Sequence, residues 1–222
     1  MKNGISVFIV LLVALTACTA APTQTPNPDV QAPPLDSPAP APTSTATVEV
    51  VPAPTLDAVE TSLSYAEITY YDIVGTTEAE LRAQMTALGP LDPYDNNKPV
   101  DAYVAWYIYW NWDGYGTADC DLDTAQVWYE LYLTMPNWTP PADAAPELVT
   151  KWEEYIRALE EHEVGHLDNV INNYETVLTA IQAAACDTAD AAAVAALDPL
   201  YEFDAAYDVE TNHGATQGAV FP

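Results

Sequence analysis

The chain has 222 residues, half of them apolar or aromatic, which is enough to bury a core and too many for a chain disordered throughout. Against 33 Asp and Glu stand only 5 Lys and Arg, a formal charge of −28. A surface of that sign repels phosphate backbones, so no nucleic-acid partner is expected.

Lys2 precedes an apolar run, residues 5–15, that leads into Leu15-Thr16-Ala17-Cys18. A basic start, a short apolar core and small residues before a cleavage point mark a secretory signal over residues 1–17. The run is short for a membrane span. The L-T-A-C ending resembles the bacterial lipobox, which implies that Cys18 is lipidated and becomes the new N-terminus. With Lys2 gone, 4 basic residues face 33 acidic ones, a charge of −29. The expectation is an exported protein, lipid-anchored to the outer face of a bacterial membrane, which it meets through its N-terminal lipid. From residue 19 to about 58 the sequence is mostly Pro, Ala, Thr and Val and carries ten of the chain's 19 Pro. That composition cannot bury enough surface to fold, and at ~3.1 Å per residue an extended tether would reach on the order of 120 Å. Residues 18–58 are therefore expected to form a disordered tether, and 59–222 the folded domain. Two cysteines remain, Cys120 and Cys186. In an exported chain they are most simply a disulfide, the alternative being two buried thiols.

Residues 67–74 are β-branched and aromatic and stop at Gly75, which predicts a strand. Thr76 or Thr77 caps a helix to Leu88, with Glu80 placed for a capping box and Gly89-Pro90 as the stop. Residues 92–99 read as a turn-rich loop. Residues 100–112 alternate, with Val104, Trp106, Ile108, Trp110 and Trp112 on one face. Gly114 and Gly116 turn the chain into a second long strand over 120–135, so the two strands predict an antiparallel hairpin. Pro146 opens a helix to about 185 whose stripe is Leu148, Trp152, Tyr155, Leu159, Val170, Tyr174, Val177 and Ile181. An Ala-rich helix follows over 188–210, kinked or divided by Pro199. Strands first and helices afterwards predict an α+β fold, a small antiparallel sheet packed on the long helix and a C-terminal helix.

The gap in the long stripe holds His162-Glu163-Val164-Gly165-His166. Residues four apart on a helix share a face, so both imidazoles turn toward one point. H-E-x-x-H on a helix is the zinc-protease arrangement, with the Glu beside the ion as general base. The competing reading is two core histidines with a solvent-facing Glu163, and burying two imidazoles without partners is costly. A catalytic zinc needs a third protein ligand and one open position. The metzincin extension is absent, since Asn169 and Asn172 occupy its positions. The remaining histidine, His213, is the preferred third ligand, with Asp208 or Glu210 behind it or in its place. Glu202 and Glu175 are further carboxylates to weigh, Glu175 standing too far along the helix axis.

Several strings together resemble one bacterial family, a domain of unknown function described as predicted secreted zinc-dependent proteases. They are Ile73-Val74-Gly75, Leu88-Gly89-Pro90, Met135-Pro136-Asn137-Trp138, the HExxH helix, and Tyr207-Asp208-x-x-Thr211-x-His213-Gly214-x-x-Gln217-Gly218-Ala219. The resemblance covers about residues 67–221. It implies a zincin-like fold, His213 as a zinc ligand and a Cys120–Cys186 bridge, and it supplies no substrate. Pro199 is a departure that bears on where His213 falls.

Two weaker patterns are present. Asp119, Asp121, Asp123 and Glu130 stand at calcium-loop offsets, but Thr124 replaces the required Gly and the segment reads as strand. The Tyr and Trp residues of 103–112 would suit a glycan groove if exposed, and otherwise are the two faces of a packed sheet. The leading expectation is a membrane-tethered zinc metallopeptidase acting on a peptide or protein substrate, with zinc on His162, His166 and His213, Glu163 as base and Tyr207 as oxyanion stabiliser. The alternative is a lipoprotein that binds zinc or a partner without catalysis, a role in which Glu163 has no use.

Overall fold

The computed structural model describes residues 56–93 and 96–222. The signal segment, Cys18 and the tether up to residue 55 lie outside the described residues. Helix α1 (Leu56–Leu63) begins three residues before the expected start of the domain, and strand β1 (Glu67–Ile73) follows it. Helix α2 (Glu78–Leu88) starts as the sequence predicts: the Thr77 hydroxyl accepts from the Glu80 N–H, and the Glu80 carboxylate returns to the Thr77 N–H. The turn-rich stretch after Gly89 contains two short strands that pair antiparallel, β2 (Leu91–Asp92) and β3 (Lys98–Pro99).

Strands β4 (Tyr103–Asp113) and β5 (Asp121–Trp138) form the antiparallel hairpin. The α+β class holds, but the three-stranded sheet is mixed and not wholly antiparallel: its order is β1-β5-β4, and β1 runs parallel to β5. The 18-residue β5 is the central strand. It carries β4 on one edge, and on the other Glu67 to Ile73 pair with Tyr132 to Trp138. The alternation of β4 sets the face read from sequence: Ile108 and Trp112 are buried with Leu131, Leu133 and Met135, while Tyr107 and Trp128 are exposed.

Helix α3 (Pro146–Asn173) packs on that inner face. Leu148, Trp152, Tyr155 and Leu159 join one apolar cluster with Met135, Trp138 and Phe221. Val164, Leu167 and Val170 join a second with Ile108, Leu131 and Ile181. Near the start of α3 the Tyr155 hydroxyl donates to Asp101 Oδ2 at 2.6 Å, and Arg82 pairs with the same carboxylate. The expected single helix to 185 is two, α3 and α4 (Glu175–Gln182). The Thr176 hydroxyl takes the Asn173 carbonyl, and the Val177 N–H turns to Tyr174 O instead. Side-chain competition for that carbonyl tightens the turn and ends the ladder. Pro199 divides the last helical stretch into α5 (Ala189–Ala195) and α6 (Asp198–Thr211), in whose first turn its missing N–H costs nothing. A 3₁₀ turn, Ala215–Gln217, leads into the C-terminus. Among the described residues no helix is long and apolar enough to cross a membrane.

Cys120 and Cys186 are disulfide-bonded with Cα atoms 5.7 Å apart, tying the start of β5 to the segment between α4 and α5. The bridge spans 66 residues, and a loop of that length is worth about 4 kcal/mol through the entropy of the unfolded chain. Alkylation of the unreduced protein should label neither cysteine, and reduction should lower the thermal midpoint measurably. Free Cys120 and Cys186 in the native protein would contradict the pairing.

Candidate metal centre

His162 and His166 lie where α3 is buried on nearly every side, and they are 4 % and 8 % exposed. Four imidazole nitrogens at such depth each require a partner. Both Nε2 atoms converge on one carboxylate oxygen of α6: Asp208 Oδ1 is 3.2 Å from His162 Nε2 and 3.2 Å from His166 Nε2. The Nδ1 atoms face outward to separate partners, Gln217 Oε1 at 3.0 Å from His162 and Asp204 Oδ1 at 3.1 Å from His166. His162, His166 and Asp208 offer ligand atoms within 4.8 Å of one another and form a group able to hold a metal ion.

The C-terminal string builds the floor of this site. Tyr207 lies flat on His162, ring centroids 5.1 Å apart and planes within 11°. Its hydroxyl accepts from Gln217 Nε2 at 3.0 Å, so the amide that faces His162 is itself held in orientation. This packing explains the glycine inside H-E-V-G-H, because a Cβ on Gly165 would stand 2.4 Å from the Tyr207 ring and hydroxyl. Thr211 donates to Tyr207 O and accepts from the Gly214 N–H. Gly214 has φ +76°, and a Cβ there would press to 2.9 Å from His162 Cγ. Helix α6 ends in left-handed Asn212, and the His213 N–H bonds back to Asp208 O at 2.8 Å.

That helix end decides where His213 falls. Its side chain is 54 % exposed, with Nδ1 3.7 Å from Asp208 Oδ1. The structure thus seats Asp208 in the group, with His213 at its outer side. Glu210 is exposed, and neither it nor the exposed Glu202 and Glu175 joins the group. Tyr207 is directed against Gly165 and Gln217. The calcium-loop carboxylates Asp121, Asp123 and Glu130 sit on β5. Asp204, Gln217 and Asn169 escaped the sequence reading as site residues. Asp204 had a usable signal, standing one helical turn before Asp208.

Glu163, at 5 % exposed, is buried and not solvent-facing. Burial pushes its carboxyl up, and the nearby His166 and His162 offset this only in part. Burial opposes a charge on His166, but its bonds to Asp204 and Asp208 outweigh that and push it up to about 10. Burial would also raise Asp208, yet its bonds to His162 and His166 hold it well below the usual carboxylate range.

These shifts have opposite signs for stability in the metal-free protein. His166 rises from 6.5 to about 10, so its contribution is complete below about pH 6.5 and is lost as pH climbs toward 10. Asp208 is depressed from 3.8, so its contribution is complete above about pH 4 and is lost as pH falls further. The thermal midpoint of chelator-treated protein should therefore peak between about pH 4 and 6.5 and decline on the alkaline side. His166→Gln should flatten that alkaline decline; an unchanged slope would refute the assignment.

The family model described as "Bacterial protein of unknown function (DUF922)" matches residues 68–214, which include the sheet, His162, His166 and Asp208. No curated protein and no solved structure matches the chain. With two thirds of its length matched, from β1 to the end of the histidine-bearing C-terminal turn, the chain belongs to the DUF922 family of bacterial proteins of unknown function.

Proposed function

We propose that this domain is a zinc-dependent peptidase, exported and tethered to the outer face of a membrane through Cys18. The observation that supports the reading best is a buried Glu163 next to two histidines whose Nε2 atoms converge on one carboxylate. The donor set fits zinc: ligand bonds of about 2.0–2.2 Å in a tetrahedron place ligand atoms about 3.4 Å apart, close to the 3.2 Å between Asp208 Oδ1 and each Nε2. A set of His162, His166 and Asp208 leaves a fourth position open, as catalytic sites do. Bound there, zinc supplies the Lewis acidity that polarises a carbonyl and makes water nucleophilic near neutral pH. Glu163 takes the water proton on its carboxylate and delivers it to the departing amine nitrogen. Tyr207 and Gln217 hold His162, and the Tyr207 hydroxyl, which accepts from Gln217 Nε2, keeps its own proton to donate to a developing oxyanion.

A second reading rests on His213. If it and Asp208 both bind, the four protein donors close the site, and closed sites are structural. The purified protein should carry about one zinc, lost in Asp208→Ala and retained in His213→Ala. Loss of the ion in both variants would favour the closed, non-catalytic site, and retention in Asp208→Ala with loss in His213→Ala would make His213 the third ligand.

Glu163→Gln separates enzyme from binder. It preserves the shape of the side chain and every donor, so zinc content should hold while hydrolysis of a mixed peptide library falls by about 10²–10⁴-fold. No cleavage by the wild type, or equal cleavage by the variant, would refute the peptidase reading.

A further inference from the structure

The two imidazoles are backed differently. His162 Nδ1 meets a neutral amide oxygen, Gln217 Oε1, whereas His166 Nδ1 meets a carboxylate, Asp204 Oδ1. Asp204 is held by donors from two other elements. Trp106 Nε1 on β4 donates to its Oδ2 at 2.9 Å, and Asn169 Nδ2 on α3 donates to its Oδ1 at 3.0 Å. Both donors are fixed in turn: the Trp106 ring stacks on Tyr201 with centroids 4.6 Å apart, and Asn169 Nδ2 also reaches Leu200 O at 2.9 Å. No lysine or arginine is among these contacts, so the oriented carboxylate faces the His166 imidazole with no cation between them.

We propose that Asp204 is a positioning residue for the metal centre: clamped by Trp106 and Asn169, it holds the proton on His166 Nδ1, orients the ring, and makes His166 Nε2 the stronger nitrogen donor of the pair. The proposal rests on the metal-binding reading above. Strand β4 thereby reaches the site through a single chain, Trp106 to Asp204 to His166. A carboxylate behind a ligating imidazole fixes its tautomer and raises its basicity, and loss of such a partner costs 10–100-fold in metal affinity. A packing role would act on the folding equilibrium and leave the affinity of folded molecules alone.

The test is zinc affinity by competition with a chelator, on protein whose folded state is verified by circular dichroism. Asp204→Asn keeps the shape and removes the charge, and should weaken zinc by about 10–100-fold. Trp106→Phe keeps the ring on Tyr201 and deletes the donor; it should weaken zinc by a few-fold and carries the test if Asp204→Asn fails to fold. Gln217→Glu in the Asp204→Asn background moves the carboxylate from behind His166 to behind His162. It should recover most of the lost affinity, which repacking would not do. Wild-type affinity in both Asp204→Asn and Trp106→Phe, with only the thermal midpoint lowered, would overturn the positioning role and leave the metal centre standing. A wild-type protein that binds no zinc would overturn the metal reading itself, and this proposal with it.

Discussion

Two histidines one helical turn apart are buried in α3, and the structure around them follows from the need to satisfy four ring nitrogens away from water. An unpartnered buried polar atom costs about 1–3 kcal/mol, so the pair left unmet would cost a large part of a small domain's stability. None of the three residues that partner them comes from α3. Asp208 and Asp204 come from α6, and Gln217 from the 3₁₀ turn beyond it. Helix α6 must therefore lie along α3, its end must reverse tightly, and the tail must return across His162. Gly165 admits Tyr207 and Gly214 admits the chain itself, so both glycines are consequences of the same burial.

The acidity of the chain shapes how its carboxylates are held. With 5 basic residues against 33 acidic ones, most buried or half-buried carboxylates cannot have a cation. Asp101 has Arg82, with the Tyr155 hydroxyl added. Elsewhere the aromatic inner face of β4 supplies neutral donors. Trp106 Nε1 bonds Asp204 of α6, and Trp110 Nε1 bonds Asp190 of α5, each at 2.9 Å. The Tyr115 hydroxyl joins Asp190 at 2.5 Å, where burial and that carboxylate push its own ionisation up to about 12. A tryptophan-rich strand thus serves two ends at once: its rings fill the core, and its N–H groups dock the C-terminal helices through their acids. A carboxylate held by neutral donors and not by a cation can still turn its charge toward a further group, and Asp204 beside His166 is such a case.

The sequence by itself determined the parts governed by local periodicity and short-range chemistry. The alternation of 103–112 set the buried face of β4, Thr77 and Glu80 set the start of α2, and the i, i+4 spacing put His162 and His166 on one face. Two cysteines left over in a chain read as exported were enough to expect their bridge. Tertiary structure decided the rest, because it depends on groups far apart in the chain. The parallel partner of β5 comes from residues 67–73, far from it in the chain, and the break at Tyr174 from a Thr176 hydroxyl competing for a backbone carbonyl. The choice of Asp208 over His213 for the inner position follows from the left-handed turn that ends α6 and leaves His213 half in solvent. Asp204 could be placed only once α6 lay against both α3 and β4, since its role comes from Trp106, His166 and Asn169, which precede it by 98, 38 and 35 residues and are brought to it by packing.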